Sequence, residues 1–478
     1  MSQRMILVTA IALTLALPSD AAEVRLRKMH VTPLAVPGQP HAPDEPIPAA
    51  PARRHRGVEA NVVNPNLTEG PSTLLVYPVA GEIALDGGDL SIPYYVDLDP
   101  SGVRRDFDCT DLTFNGHEGH DPYIRSFREQ AIGVPVFAVL DGRVIDIRDG
   151  EPDENTNNNP AARANYITLR HANNMTTQYV HLRRGSMPFR INDIVAAGTQ
   201  IGLVGSSGMS TGPHAHFEVL YGTEAFEPMA GPCRPGRNFF DAPVPPKSEE
   251  FALVGATLST ISFDSVRPAP YDDAPHTGTF TRGQQTIYFK ADVANVGATT
   301  QYELELLRPG SSIPITIANG HLISYDASLA AVWWAIDVDL NTTGTWTLRL
   351  NVDDEHTYTR PFTVVNTFAE IVNRAPKPIT TMLHPIRIGD VPVCRVSGDA
   401  LADPDYDVVS YRYLWQIDGV TVRDVTTAAR TDALARNLVR VGSTVSCAVT
   451  ASDGTLSTQA ATAFADVRSV RRRAVRRP

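Results

Sequence analysis

The stretch Gly212–Val219, GPHAHFEV, carries two histidines on either side of one alanine. Side chains alternate between the two faces of a β-strand. In a strand, the polar side chains of His214, His216 and Glu218 would therefore share one face, and the apolar side chains between them would share the other. The pattern predicts a strand with an apolar core face and a face bearing two imidazoles. An isolated pair of this kind is more often a solvated polar face, so the rest of the chain has to decide its meaning.

The N-terminus has the composition of an export signal. Arg4 precedes the apolar run Met5–Leu17, and small residues follow near positions 19–22. This order is typical of a secretory signal peptide that is removed from the mature protein. No later run is long and apolar enough to cross a bilayer. We therefore expect a secreted or periplasmic protein without a transmembrane segment. We also expect it to be a monomer.

The 478 residues of the chain exceed the usual size of one domain, and the formal net charge of -11 gives no reason to expect nucleic-acid binding. Short apolar alternations separated by turns predict an all-β-dominated fold. The expected divisions are a signal peptide (1–22), a Pro-rich linker or pro-segment (23–70), a β-sheet domain that contains the two histidines (71–246), a β-sandwich (250–368), an immunoglobulin-like β-sandwich (372–467) and a basic tail (468–478).

Four cysteines in an exported chain favour disulfides. Cys394, Trp415 and Cys447 follow one another in the order of an immunoglobulin-like sandwich, in which the tryptophan packs on a disulfide between the sheets. We therefore predict a Cys394–Cys447 bond. Cys109 and Cys233 flank the other motifs and are expected to pair, tying the two ends of the first domain together.

A second group of polar residues lies upstream in Asn115–Asp121, NGHEGHD. In an extended chain His117 and Asp121 share a face, and Gly119 between them leaves room for a metal. One nitrogen and one oxygen ligand suit Zn²⁺, and either His214 or His216 could supply a third ligand.

The third motif that contains a histidine is the predicted strand TTQYVHL, which carries His181. Hydrolysis at a zinc ion also requires groups that orient water and stabilise an oxyanion, which histidines that are not ligands can provide.

The order of HxGxD, TxYxHL and GSSGMSTGPHAHFEV resembles the lysostaphin-type zinc endopeptidases over roughly residues 77–241. The resemblance implies that His117, Asp121 and His216 bind one Zn²⁺ per chain. It also implies that His181 and His214 act in catalysis, and that the substrate is bacterial cell-wall peptidoglycan. Two alternatives stay open: a catalytically silent wall-binding or hydrolase-regulating protein on the same fold, and a secreted peptidase of Gly-rich proteins.

Other polar residues near these motifs have more ordinary interpretations. Ser207, Ser210 and Thr211 are expected to satisfy backbone groups in a turn. His120 is interpreted as a bystander on the opposite side of the chain from the ligands, and His171 as a structural residue at a strand end. Glu218 either orients an imidazole or is an exposed strand residue. The long Asn-rich stretch 149–165 is expected to be a loop that borders the substrate groove.

Overall fold

The computed structural model describes residues 24–35, 72–82, 87–222, 224–240, 250–265, 274–397 and 403–469. The predicted signal peptide lies outside these residues, as do positions 36–70 of the predicted linker and positions 470–478 of the predicted tail. The described chain is almost entirely β-structure, as predicted. None of its helices is long and apolar enough to cross a membrane.

The first unit is built on a six-stranded antiparallel sheet in the order β6-β3-β4-β5-β8-β9, with β2 and β7 paired beside it. The chain forms a separate strand, β1 (Val24–Ala35), before this unit begins. The elements of the unit are α1 (Phe127–Ile132), β2 (Pro135–Phe137), β3 (Gly142–Arg148), β4 (Tyr166–Arg170), β5 (Met175–Val180), β6 (Ile194–Val195), β7 (Gln200–Leu203), β8 (His216–Tyr221) and β9 (Glu224–Ala225).

The second unit consists of two sheets in the orders β1-β15-β12-β10 and β11-β17-β16-β13-β14. Alternation predicts its core correctly: Trp334, Ile336 and Val338 of VWWAIDVDL are all buried. The strands are β10 (Ala252–Ser259), β11 (Thr279–Thr281), β12 (Gly283–Val296), β13 (Gln301–Leu307), β14 (Ile315–His321), β15 (Ala327–Leu340), β16 (Gly344–Val352) and β17 (His356–Val365). A short 3₁₀ turn, Phe368–Glu370, follows.

The third unit also has two sheets, β18-β20-β23 and β19-β25-β24-β21-β22. The Cys394–Cys447 disulfide joins β20 of one sheet to β24 of the other, and Trp415 is fully buried beside Cys447. The strands are β18 (Thr380–Leu383), β19 (Ile386–Arg387), β20 (Val393–Ser397), β21 (Ser410–Ile417), β22 (Val420–Thr427), β23 (Thr431–Ala433), β24 (Thr444–Ser452) and β25 (Ala461–Arg468), with a 3₁₀ turn at Arg436–Leu438.

The structure differs from the predicted linker at its beginning, because Val24–Ala35 is an edge strand of the second unit. It pairs antiparallel with β15, more than 300 positions away in the chain, as in Val24↔Val338. The apolar side chains that it lays against the sandwich core are Val24, Leu26, Met29 and Val31. A register shift between Leu26 and Lys28 explains why the inward positions change from even to odd numbers. The Pro-rich composition that follows this strand hid the alternation.

The second and third units both pack against the first. Val391, Ala428 and Ala433 of the third unit belong to the same buried core as the first unit's sheet. The buried Arg430 Nε donates to Asp89 Oδ1 at 2.9 Å across that contact. Burial of a charged pair is tolerated when its groups are paired and hydrogen-bonded. This packing fixes the third unit against the strands that carry the candidate site.

Candidate metal centre and catalytic histidines

Three side chains from two separate segments converge on one point. His117 Nε2 lies 3.2 Å from His216 Nδ1 and 3.3 Å from Asp121 Oδ1, and His216 Nδ1 lies 3.0 Å from the same carboxylate oxygen. Zinc bonds of 2.0–2.1 Å in a tetrahedron place ligand atoms about 3.3 Å apart. The three atoms therefore fit three corners of a tetrahedral metal site. Among the described residues this is the group of histidine and acidic side chains that could hold a metal ion.

A hydrogen bond at Nδ1 sets the orientation of the His117 ring. Its Nδ1 donates to the backbone carbonyl oxygen of Tyr95 at 2.8 Å, so Nε2 faces the cluster and is the nitrogen through which the neutral ring can bind a metal. Burial opposes ionisation of Asp121, but the neighbouring His117 and His216 rings outweigh it and hold the pKa of that carboxyl well below its usual range. The donor set is therefore two imidazoles and an ionised carboxylate, which suits a divalent cation.

Position 119 has to be glycine because the His216 ring, rather than the metal itself, leaves no space for a side chain there. A Cβ at position 119 would lie 2.6 Å from His216 Cε1 and 2.6 Å from the carbonyl oxygen of Phe217. The chain on both sides of this contact is fixed, because the backbones of His120 and Phe217 exchange two hydrogen bonds of 2.8 Å. This bridge aligns the segment 117–121 with the first residues of β8, which begins at His216 rather than at His214.

His181 and His214 lie beside the cluster as a second pair of imidazoles. Their ring centroids are 4.5 Å apart, and His181 is 6.4 Å from His216. His181 Nδ1 donates to the carbonyl oxygen of Ser207 at 2.7 Å, and His214 Nδ1 donates to that of Gly212 at 2.8 Å. In a neutral ring each donation leaves Nε2 as the acceptor nitrogen. Both rings are therefore held at Nδ1, and Nε2 is the nitrogen that a neutral ring would use to accept a proton.

The turn that follows β7 supports this second pair. Its Ser207 also accepts a hydrogen bond from the backbone N–H of Asn165, and the Ser210 hydroxyl lies 3.2 Å from His214 Nδ1. These serines satisfy turn and loop groups, as predicted, and they also hold the two histidines.

His181 itself has φ of 61°, an uncommon conformation for a residue other than glycine. The chain adopts this conformation directly after β5, which ends at Val180.

The Asn-rich loop borders the site, as expected. Asn155 donates from its backbone N–H to Ser206 O at 3.0 Å and from Nδ2 to Gly208 O at 2.6 Å. The Asn158 backbone N–H donates to Ser210 O at 3.1 Å. The loop is therefore bonded directly to the turn that precedes His214.

Aromatic side chains close the opposite side of the site. Tyr123 stacks on His214 with ring centroids 4.4 Å apart, and Phe114 lies 4.4 Å from His117. Both belong to a buried cluster that includes Leu329 of the second unit. All five site side chains are at most 4% exposed. Little of each of these side chains therefore reaches solvent.

The remaining residues singled out from the sequence are the four cysteines, His171, Glu218 and His120. Both predicted disulfides are present, since Cys109–Cys233 joins the ends of the first unit and Cys394–Cys447 lies within the third. His171 is structural, because its nitrogens bond to Asp141 O and to the Thr177 hydroxyl. The interpretation of Glu218 as an exposed strand residue is wrong, because it is only 3% exposed.

His120 does lie on the side away from the ligands, but that side is buried. Its Nε2 bonds to both carboxylate oxygens of Glu227, at 2.9 and 3.0 Å. Sequence reasoning missed Glu227 altogether, because it lies 107 positions from His120 and belongs to no recognised motif.

Comparison with known proteins identifies the domain around these residues. Positions 126–228 match peptidase family M23. The matched segment contains His181, His214 and His216, and it begins after His117 and Asp121.

The curated relatives are similar over a limited part of their length. The chain is 37% identical over 89 residues to the peptidoglycan DD-endopeptidase ShyB of Vibrio cholerae, which is 19% of this chain and 18% of that one. It is 35% identical over 98 residues, 20% of each chain, to the DD-carboxypeptidase/endopeptidase Mpg of Neisseria meningitidis. The matched region thus spans about one fifth of each relative.

A solved structure, the catalytic domain of lysostaphin from Staphylococcus simulans, is 26% identical, with a TM-score of 0.18 over 24% of this chain and 77% of that one. With the family match over 126–228 and the His117–Asp121–His216 cluster beside it, the chain contains a domain of peptidase family M23, a family of metallopeptidases.

Proposed function

We propose that this protein is an exported zinc endopeptidase that hydrolyses peptide bonds of bacterial cell-wall peptidoglycan. The observation that carries the proposal is the convergence of His117, Asp121 and His216 beside the imidazoles of His181 and His214. The names of the relatives ShyB and Mpg support an endopeptidase activity, and that of ShyB supports peptidoglycan as the substrate. The signal-peptide pattern of residues 1–22 supports export.

Zinc suits the donor set because it prefers nitrogen and oxygen ligands in a tetrahedron and leaves a fourth position for water or substrate. When bound, it lowers the pKa of water to about 7 and polarises a carbonyl group. The three protein ligands would hold it through His117 Nε2, Asp121 Oδ1 and His216 Nδ1, the atoms that lie 3.0–3.3 Å apart.

His181 and His214 would carry the proton transfers of the reaction. Each holds a proton at Nδ1 against a backbone carbonyl, so Nε2 is the nitrogen that exchanges protons with water and substrate. One neutral ring accepts a proton from the attacking water. A protonated ring then donates to the developing oxyanion or to the departing amine. A positioned group of this kind contributes about 10²–10⁴-fold to the rate.

The substrate would enter between the Asn-rich loop and the aromatic side chains Phe114 and Tyr123. The five site side chains are at most 4% exposed, so only a small part of each faces the entering substrate. We further propose that the two sandwich units serve as spacers or wall-binding modules. For the third unit, the buried Trp415 beside the Cys394–Cys447 disulfide supports the immunoglobulin-like assignment.

The test is digestion of purified peptidoglycan by the mature protein, with fragments identified by mass. We expect the zinc-loaded protein to release peptide fragments, and a chelator to stop the release until zinc is restored. His321→Ala changes an exposed histidine of the second unit and should leave the release unchanged.

Two other results would contradict the proposal. Cleavage of a Gly-rich peptide with peptidoglycan left intact would show that the substrate is wrong. Binding to peptidoglycan without any cleavage would indicate a silent wall-binding protein.

A further inference from the structure

The carboxylate of Glu227 is fully buried and contacts His120, the residue that precedes the candidate ligand Asp121. It accepts hydrogen bonds from three donors. His120 Nε2 lies 2.9 Å from Oε1 and 3.0 Å from Oε2, the Val96 backbone N–H donates to Oε2 at 3.3 Å, and the Met229 backbone N–H donates to Oε1 at 2.6 Å. Removal of a carboxylate from water is costly unless its oxygens are hydrogen-bonded, and here both are.

Two of these donors connect Glu227 to the ligands at His117 and Asp121. Val96 follows Tyr95, whose carbonyl oxygen accepts the hydrogen bond that fixes the His117 ring. His120 directly precedes Asp121 in the chain. A shift of the Glu227 carboxylate would therefore be transmitted to both of these ligands through one intervening residue each.

The third ligand is reached through the backbone of His120. The His120 N–H and carbonyl each bond to Phe217 at 2.8 Å, and Phe217 directly follows His216. The segment with His117 and Asp121 and the strand with His216 are thus joined by the backbone hydrogen bonds between His120 and Phe217. The side chain of His120 is held in turn by Glu227. The rings of Tyr95 and Phe240 enclose this side chain at centroid distances of 5.1 and 6.4 Å.

We propose that Glu227 is a positioning residue for the metal centre, acting through His120 and the Tyr95–Val96 segment rather than by contact with metal or substrate. This inference rests on the proposed metal site. Residues that support ligands in this way typically contribute 10–100-fold to metal affinity or activity. A purely structural role would instead stabilise the fold and leave the metal affinity of the folded protein unchanged.

The first test is Glu227→Gln, which keeps the side-chain size but replaces one acceptor oxygen with an amide donor. Zinc affinity, measured by competition with a chelator, should fall by about 10–100-fold. The control is Glu224→Gln, an exposed glutamate three positions away, which should bind zinc like the wild type.

A double variant, Glu227→Met with His120→Phe, separates positioning from folding. Replacement of both buried polar side chains by apolar ones of similar size removes the desolvation cost of the pair, but the backbone N–H groups of Val96 and Met229 lose their acceptor, so the fold loses some stability. We expect this variant to fold and still lose zinc affinity to the same extent. The positioning role is wrong if the zinc affinity of Glu227→Gln lies within twofold of the wild-type value. If Glu227→Gln does not fold, the zinc affinity of the double variant is judged by the same criterion. If the wild type itself binds no zinc, the proposed metal site fails instead.

Discussion

Gly119→Ala is the substitution that most sharply probes how the fold builds the metal centre. The new Cβ would lie 2.6 Å from His216 Cε1, 2.7 Å from His216 Nε2 and 2.6 Å from the carbonyl oxygen of Phe217. Non-bonded carbon contacts are normally 3.5–4.0 Å, so the ring or the backbone has to move by about 1 Å. Metal sites keep their ligand distances to about ±0.2 Å, so a shift of this size removes His216 from the ligand set.

Two measurements report this change separately. Zinc affinity, from chelator competition, should fall by at least about 100-fold, the upper end of the effect of disturbing residues around a ligand set. The free energy of unfolding of the metal-free protein should fall by only about 1–3 kcal/mol, the usual cost of overpacking. The protein should therefore remain folded while it loses the metal.

Gly297→Ala provides the matched control. A Cβ at position 297 would meet its nearest atom, Asp326 Oδ1, at 3.6 Å, an ordinary contact. This variant should match the wild type in both measurements. If Gly119→Ala binds zinc as tightly as Gly297→Ala, then His216 is not held against this glycine and the derived geometry of the centre is wrong.

Three further predictions concern stability. Removal of the Cys109–Cys233 disulfide with two serines should lower the free energy of unfolding by about 4–5 kcal/mol in denaturant titration, because the bond closes a loop across 124 positions. Burial raises the pKa of the Asp403 carboxyl to about 6. Its charge therefore destabilises the fold above that pH, and the penalty is relieved as the pH falls towards 4. Asp403→Asn should raise the unfolding temperature at pH 7 and have little effect at pH 4. Deletion of residues 24–35 should lower the unfolding temperature and increase aggregation measured by light scattering, because it exposes the edge of β15.

The parts of this fold that could be predicted are those in which a local pattern determines the structure. Alternation in GPHAHFEV places Phe217 in the core and His216 on the face that joins the cluster. The same rule assigns Trp334, Ile336 and Val338 of β15 to the core of the second unit. The order Cys394, Trp415, Cys447 predicts a disulfide that the structure contains.

The parts that could not be predicted depend on pairing between distant segments. β1 finds its partner about 300 positions away, and no local pattern specifies which strand edge it will join. Alternation puts His120 on the side away from the ligands, but it cannot reveal that Glu227 occupies that side. The contact of the aromatic cluster with Leu329 likewise depends on how two units pack.

Zinc content measured together with peptidoglycan-fragment release on a set of alanine variants tests the central claim most directly. Alanine replaces each site residue in turn: His117, Asp121, His216, His181 and His214. The first three variants each lose one ligand and should lose both zinc and activity. The last two keep all three ligands, so they should retain about one zinc per chain while activity falls by about 10²-fold or more. Loss of zinc from the His214 variant with retention by the His216 variant, or full activity in all five, would contradict the assignment.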